Sequence, residues 1–373
     1  MIVKEGYSEE RSLPTERMLL IFLLVLLLCS SCLNGLLIKW KNNWNIHYVH
    51  KGTGPPLLLI PGFGVGTFHY DKNIDELSKF YSVYSLDLFG QGKSWPLSVD
   101  DIKEEHKLVF STKLWSEQIK FFIENVIQQP THISGNSLGG YLSVILANDS
   151  PQLVKSLSLT NPTPFWSFFD DSWPIWGGQL PAPNWALQIG STYFNGLKSK
   201  SVVNTMLTGV YANENAFDEK LVQDIIESAG HPVGPYAFTS ILFAKKEERD
   251  FDTLLSQLKV PSQLIMGAKD PWIVPYWGQR FKRLKKDMPY FEITESGHCP
   301  HHESPKMFNL LMNNWIKNVE AGQTIDLDSK IELTQVEDHG VEVTARLVDG
   351  SPSSNNFFEI IGEWIHKKQL EKI

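Results

Sequence analysis

Short apolar runs alternate with segments of helical period through most of the chain. Each run is rich in aliphatic or aromatic residues and too short for a helix, which is typical of buried strands. The runs cover residues 46–49, 57–60, 81–86, 131–134, 156–159, 263–266 and 290–293. A helical period at residues 114–127 separates the third run from the fourth. Strands that alternate with helices predict an α/β fold with a largely parallel sheet that is covered on both faces.

The segment between the fifth and sixth apolar runs is about a hundred residues long and has no strand-like pattern. We interpret residues 161–255 as a helical lid inserted between two parts of the core, residues 40–160 and 256–320. The insertion begins with an aromatic-rich stretch, because nine of the thirty residues at 165–194 are Phe, Trp or Tyr. Such rings either line a pocket for a large apolar ligand or form the core of the lid itself, and the pattern leaves both interpretations open.

The N-terminal region contains the longest uncharged segment of the chain. No charged residue lies between Arg17 and Lys39, and residues 18–29 are unbroken apolar. Twelve apolar residues suit the core of a secretory signal peptide, whereas 21 uncharged residues can also span a bilayer. We therefore interpret residues 1–39 as a signal peptide or a membrane anchor, and we expect membrane association through this segment.

The C-terminal extension, residues 321–373, has a pattern of its own. Apolar and polar residues alternate at 330–337 and at 341–348, on either side of an Asp-His-Gly sequence at 338–340. This pattern predicts a β-hairpin, and the period at residues 357–370 predicts a closing helix. We assign no function to the extension.

Composition narrows the possible functions. Charged residues make up 20% and hydrophobic residues 42% of the chain, which is typical of a folded globular protein. The formal net charge of −8 argues against nucleic acid as a partner. Three cysteines, of which Cys299 alone follows the N-terminal apolar segment, cannot supply a disulfide framework to the folded part.

A candidate nucleophile lies between the fourth apolar run and the next helical stretch. The sequence Gly135-Asn136-Ser137-Leu138-Gly139 has the G-x-S-x-G pattern in a strand, turn and helix context. The sharp turn requires small residues beside the serine, and the N-terminus of the helix stabilises negative charge on a substrate. We therefore predict that Ser137 is the nucleophile of a hydrolase.

The partners of this serine follow in the order that an α/β-hydrolase requires. Asp270 follows the run at 263–266, and His298 follows the run at 290–293. Neutral histidine can take the serine proton near pH 7, while the aspartate fixes its tautomer and supports the imidazolium. The sequence therefore predicts a catalytic triad of Ser137, His298 and Asp270.

Two backbone N–H groups are the candidate donors of an oxyanion hole. One belongs to Leu138, directly after the nucleophile, and the other to Phe63 in the loop after the run at 57–60. Loss of one such donor typically costs about 3 to 4 kcal/mol of transition-state stabilisation.

Two further patterns resemble binding sites without meeting their requirements. Gly92-Lys93-Ser94 ends like a nucleotide-binding loop, but Asp87 stands where that loop requires its first glycine. Residues 298–303 contain several metal-ligand types, yet no second ligand pair lies at a recognisable spacing. We therefore predict neither a metal nor a cofactor.

Several separate segments together resemble one family of α/β-hydrolases. They are residues 59–70, 90–92, 135–141, 161–166, 270–272 and 297–301. On these segments the chain from about residue 40 to 320 resembles the pheophytinase family of chlorophyll breakdown. The resemblance implies hydrolysis of the phytyl ester of pheophytin, or of chlorophyll, to pheophorbide and phytol, without a cofactor and with the triad named above.

The resemblance also implies a plastid location, although the N-terminal segment itself suggests entry into the secretory pathway or membrane anchoring. We expect Phe165 and Trp166, at the entrance of the insertion, and Trp272, after the aspartate, to bind a hydrophobic ester substrate. An esterase or lipase acting on another long-chain lipid ester remains an alternative. A non-catalytic scaffold that binds pigment or lipid is a further one.

Overall fold

The computed structural model describes residues 35–96, 98–102, 108–164, 176–245, 247, 249–323 and 335–350. Residues 1–34 of the predicted leader, the candidate substrate-binding residues Phe165 and Trp166, and the closing helix predicted at 357–370 lie outside the described residues. The described residues between Leu36 and Gly350 belong to one compact unit.

Ten strands of the described residues form a single sheet. Their order across the sheet is β1-β2-β4-β3-β5-β6-β7-β8-β10-β9. The strands are β1 (Leu36–Trp40), β2 (Trp44–Lys51), β3 (Pro56–Ile60), β4 (Ser82–Leu86), β5 (Thr131–Asn136), β6 (Val154–Thr160), β7 (Ser262–Gly267), β8 (Tyr290–Ile293), β9 (Gln335–Asp338) and β10 (Val341–Leu347). The six central strands from β4 to β8 in this order are parallel, and an antiparallel pair flanks them on each side.

Eleven α-helices lie within the described residues. They are α1 (Asp71–Leu77), α2 (Thr112–Phe122), α3 (Leu138–Asp149), α4 (Asn184–Leu197), α5 (Lys200–Thr208), α6 (Glu219–Ala229), α7 (Gly234–Leu242), α8 (Phe251–Ser256), α9 (Pro275–Leu284), α10 (Pro300–Glu303) and α11 (Pro305–Glu320). Every residue of β3, β5 and β7 is buried, so both faces of the central sheet are covered. No helix of these described residues is long and apolar enough to cross a bilayer.

The predicted α/β-hydrolase fold, with its mostly parallel sheet, is confirmed. Each of the seven apolar runs lies within one of the strands β2 to β8, except that the run at 81–86 starts one residue before β4. The helix predicted at 114–127 is α2 continued by a π-helical turn at Ile123–Ile127. Apolar patterning finds these elements because each one buries its side chains in the shared core.

Strand β1 differs from the sequence interpretation. Residues 36–38 end the long uncharged segment that we assigned to the leader, yet they pair antiparallel with β2. Leu36 and Leu37 are 41% and 60% exposed on this edge strand. These two leucines have the same apolar composition as the leader that precedes them. Composition alone therefore does not show where the leader ends and β1 begins.

The hairpin of β9 and β10 turns at His339 and Gly340, which both have positive φ. Strand β10 then pairs antiparallel with β8, the strand that leads to His298. The C-terminal extension thus contributes to the same sheet as the rest of the fold. The sequence pattern predicts the hairpin but not its position beside β8, because that pairing is a long-range contact.

Candidate active site

Ser137 occupies a sharp turn between β5 and α3. Its backbone angles, φ 52° and ψ −114°, lie in a region that residues other than glycine rarely adopt. The surrounding backbone holds this conformation, since Ser137 N donates to Thr160 O at 2.9 Å and Tyr141 N donates to Ser137 O at 3.1 Å. Strain of this kind persists only where the neighbouring structure fixes it, and it is concentrated at functional sites.

The two glycines of the turn allow a close approach of backbone segments. A Cβ atom on Gly135 would lie 2.3 Å from Gly139 O, and one on Gly139 would lie 2.3 Å from Ile60 O. Because real Cβ contacts are never this short, a larger residue would move the start of α3 away from β5 and β3. The glycines therefore set the position of Ser137 at the end of the sheet.

Asp270 and His298 form a direct pair at the same edge of the sheet. Asp270 follows β7, His298 follows β8, and their side chains are joined by a 2.7 Å contact between Oδ2 and Nδ1. Both residues are buried. A carboxylate on Nδ1 leaves Nε2 as the ring nitrogen available to a nucleophile.

The Asp270 carboxylate has hydrogen-bond donors on both oxygens. Oδ1 accepts from Trp272 N at 2.8 Å and from Ile273 N at 3.0 Å, while Oδ2 also accepts from Asn161 Nδ2 at 2.5 Å. Burial alone would raise the pKa of Asp270, but the charge of His298 and the hydrogen bonds from His298, Ile273 and Trp272 lower that pKa below its ordinary value. The carboxylate is therefore ionised at neutral pH and holds the histidine in one orientation.

Asn136 connects the turn at Ser137 to the loop that carries His298. Its side-chain Nδ2 donates to His298 O at 3.0 Å, and the residue directly precedes Ser137. The loop after β3 lies beside the same turn, because a Cβ atom on Gly62 would be 3.3 Å from Ser137 Cβ. The structure thus brings Ser137, His298 and the Phe63 loop to one place.

The two candidate oxyanion donors, the N–H groups of Leu138 and Phe63, lie on segments next to Ser137. Leu138 is the first residue of α3, a helix of 12 residues whose N-terminus favours negative charge. Phe63 follows Gly62, and the next residue, Gly64, donates its N–H to the buried Gln91 side chain. The loop that carries Phe63 is therefore fixed by a second, buried segment.

Aromatic side chains surround this site unevenly. The Trp272 ring is 55% exposed, and its centroid lies 5.3 Å from that of His298. Within the insertion, Trp176 and Trp185 pack against Phe243 with ring centroids 5.3 and 5.6 Å apart. Both tryptophans thus contribute to the packing of the insertion, although Trp185 is also 46% exposed, and Trp272 lies open beside the histidine.

A narrow apolar cleft runs from the Phe63 loop into the insertion. Its walls include Trp95 from the core and Phe194 and Phe238 from α4 and α7. The cleft has a volume of about 50 Å³. Ligand pockets usually enclose about 300 to 1,000 Å³, so a large ligand requires these walls to move apart.

Sequence reasoning missed the two asparagines of this site. Asn136 and Asn161 lie at the carboxyl ends of β5 and β6, which are neighbouring parallel strands. Ligands of α/β sheets bind in the crevice at these strand ends. Strand-end position is therefore the signal that could have identified both residues.

A group of buried histidines lies beside the Asp270–His298 pair. His69 Nδ1 is 3.2 Å from His301 Nε2, and His69 Nε2 is 2.9 Å from the Tyr211 hydroxyl. Burial, with smaller contributions from the charges of Lys72 and His298, lowers the pKa of His69 to about 3. These imidazoles are therefore neutral. Among the described residues, no group of three or more His, Cys, Asp or Glu side chains could hold a metal ion.

Comparison with known proteins shows which family and which relatives this chain resembles. Residues 57–309 match the model of the alpha/beta hydrolase family. The chain is 35% identical to chloroplastic pheophytinase from Arabidopsis thaliana, over 76% of its own length and 66% of that protein. It therefore spans just under two thirds of the length of this relative. It is also 26% identical to Lipase 3 of Moraxella, with 68% of this chain and 75% of that protein covered.

Solved structures show the same fold at lower sequence identity. One is a crystal structure described as a putative lipase from Acinetobacter baumannii, with a TM-score of 0.62, 20% identity, and coverage of 85% of this chain and all of that one. Another is an esterase from Thermogutta terrifontis, with a TM-score of 0.59, 17% identity, and coverage of 77% and 99% of the two chains.

Proposed function

This chain belongs to the alpha/beta hydrolase family, and from that membership we infer that it is a carboxylic ester hydrolase with Ser137 as its nucleophile. The observation that carries this inference is the buried 2.7 Å contact between His298 and Asp270 beside the strained turn of Ser137. A serine at such a turn needs a base to remove its proton, and the paired histidine provides one.

The proposed reaction has two half-reactions. Ser137 Oγ attacks the ester carbonyl carbon while His298 Nε2 takes the hydroxyl proton, and the N–H groups of Leu138 and Phe63 stabilise the oxyanion. Collapse breaks the bond to the alcohol, which leaves with the proton from His298, and the acyl group stays on Ser137. Water then attacks the acyl-enzyme, His298 again transfers the proton, and the free acid is released. Asp270 remains ionised and stabilises the imidazolium.

We propose the phytyl ester of pheophytin as the substrate, so that the products are pheophorbide and phytol. Two observations support this substrate: the 35% identity to a pheophytinase and the apolar, aromatic walls of the cleft beside Phe63. A phytyl chain offers many methylene equivalents, each of which contributes about 0.8 kcal/mol when buried. Trp272, exposed beside His298, is the described residue best placed to contact the macrocycle.

A second candidate is an ester hydrolase of another long-chain lipid. The matches to bacterial lipases favour it, because they cover a similar share of this chain as the pheophytinase match does. The same cleft and the same chemistry would serve both substrates, so only direct assay separates them.

We further propose a plastid location, on the likeness to a chloroplastic protein, and contact with a membrane surface, since both candidate substrates are lipids. Fractionation of cells that express the tagged full chain tests the location. Recovery with plastid membranes supports it, and recovery with secretory membranes contradicts it.

A panel of esters tests the substrate. The purified full chain is incubated separately with pheophytin, chlorophyll and a long-chain ester without a macrocycle, and the released alcohol is followed by mass spectrometry. We expect phytol release from pheophytin at a higher kcat/KM than from chlorophyll. Cleavage of the simple ester alone would contradict the pigment substrate, but it would still support the proposal that the protein is an ester hydrolase.

A further inference from the structure

Glu303 is a buried carboxylate close to the catalytic histidine. It ends the short helix α10 and is 1% exposed. Its oxygens accept hydrogen bonds from Gly297 N at 3.0 Å and from Cys299 N at 3.1 Å. These two residues precede and follow His298, so one side chain holds the backbone on both sides of the base.

The same carboxylate also reaches the insertion. Oε2 accepts from Ala212 N at 2.7 Å and from Asn213 N at 3.4 Å, both in the segment between α5 and α6. A direct backbone bond lies alongside, since His298 N donates to Val210 O at 3.1 Å. We call residues 210–213 the docking segment. Glu303 therefore links the histidine loop to the insertion, because it accepts hydrogen bonds from the backbone of both.

Gly297 allows the docking segment to approach this closely. A Cβ atom on Gly297 would lie 2.4 Å from Val210 O and 2.9 Å from Ala212 N. The two backbones are thus in direct contact, with no side chain between them. Any shift of the docking segment is transmitted to the histidine loop.

We propose that Glu303 is a positioning residue, which fixes the catalytic His298 against the insertion through its four backbone hydrogen bonds. The proposal rests on the proposed function, because it assigns to His298 the part of general base. Burial raises the pKa of Glu303, and the hydrogen bonds from the backbone N–H groups it accepts oppose that rise. A carboxylate suits this place, since both of its oxygens accept hydrogen bonds and neither turns a donor toward an N–H group. The amide of a glutamine at this position would place its NH2 group, which is a donor, against some of the same N–H groups. Part of the four hydrogen bonds would then be lost.

The test compares two variants of buried carboxylates. Glu303→Gln removes the charge beside His298. The matched control is Asp338→Asn, because Asp338 is also buried and accepts from Lys306 N at 3.0 Å and Met307 N at 3.5 Å at the start of α11. The control thus loses a carboxylate that caps backbone N–H groups but does not contact the histidine loop. Both variants are measured in the full chain, with kcat and KM corrected for the folded fraction.

We expect Glu303→Gln to lower kcat by about 10- to 100-fold, the cost typical of a small displacement of a catalytic group, with KM little changed. Labelling of Ser137 by a fluorophosphonate should slow by a similar factor, because that reaction also needs the positioned base. Asp338→Asn should keep the wild-type kcat and labelling rate. Glu303→Asp, which keeps the charge, should recover part of the loss, and it replaces Glu303→Gln if that variant does not fold.

Equal kcat in Glu303→Gln and wild type, or equal losses in the Glu303 and Asp338 variants, would overturn the proposal. Failure of the proposed function has a different result. In that case the wild-type chain itself neither cleaves an ester nor is labelled at Ser137.

Discussion

Asp270 shows how a single residue of this site depends on its neighbours. Its carboxylate accepts four hydrogen bonds, from His298, Asn161 and two backbone N–H groups. The position of Asp270 after a predicted strand could be read from the sequence. The contribution of Asn161 could not, because 109 residues separate the two partners along the chain.

Asp270→Asn should lower kcat by about 10⁴-fold, because an amide no longer stabilises the imidazolium and permits the wrong tautomer. KM should change little, since Asp270 is buried beneath the histidine and does not face the substrate. Steady-state kinetics on a soluble ester measure both parameters. A variant with wild-type kcat would show that Asp270 is not the acid of the triad.

His69 should make the folded protein sensitive to acid. Its pKa is about 3 in the folded state and near 6.5 when unfolded, so the unfolded chain binds the proton first as pH falls. The stability that neutral His69 contributes is complete above pH 6.5 and is lost progressively from there down to pH 3. Each unit of pKa difference corresponds to about 1.4 kcal/mol.

Urea unfolding of wild type and of His69→Gln between pH 7 and pH 4 measures this effect. The wild type should lose stability across this window, and the variant should lose less of it. Buried His301 and His302, whose pKa values burial also lowers, contribute to the slope that remains. Parallel curves for the two proteins would contradict the buried, neutral state of His69.

At the scale of elements, the insertion presents helix α4 with two different faces. Phe194 lies in the wall of the cleft, whereas Trp185, Ile189 and Tyr193 are 46%, 43% and 66% exposed. These three residues are four positions apart and form one stripe on the helix. The aromatic enrichment of the insertion could be predicted from the sequence, but the division between the cleft and the exposed stripe depends on how α4 packs against α7.

Replacement of Trp185, Ile189 and Tyr193 by serine should slow hydrolysis of an ester embedded in lipid vesicles by about tenfold or more, since the apolar area that meets the lipid is lost. The rate on a short, water-soluble ester should not change. The control replaces Gln188 and Asn195, exposed polar residues of the same helix, by serine. Equal rates of all three proteins on vesicles would exclude this helix as the contact with lipid.

At the scale of the whole molecule, the sheet is completed by parts of the chain outside the family match. The match ends at residue 309, but β9 and β10 follow it; β10 pairs with β8, and β9 pairs with β10. Arg346 on β10 donates to Glu292, which is 1% exposed on β8. The hairpin was predictable from its alternation, and its edge position was not, because cross-strand partners here lie more than 50 residues apart.

Removal of residues 324–373 should destabilise the protein and expose the edge of β8, which promotes association of chains. Because β8 leads to His298, activity should fall with the folded fraction.

Arg346→Ala alone should lower the free energy of unfolding by about 1 to 2 kcal/mol. This is less than the loss of a fully buried ion pair would cost, since Arg346 is more than half exposed. Thermal unfolding and size-exclusion chromatography measure both changes. A monomeric truncated chain of wild-type stability would contradict this role.

Ser137 is the proposed nucleophile, and phytol is the alcohol that its reaction with pheophytin would release. The purified full chain and its Ser137→Ala variant are incubated with pheophytin, and free phytol is quantified by mass spectrometry. We predict phytol release by the wild type and a loss of about 10⁴-fold or more in the variant, whose folded fraction is unchanged. Equal release of phytol by the two proteins would contradict the mechanism.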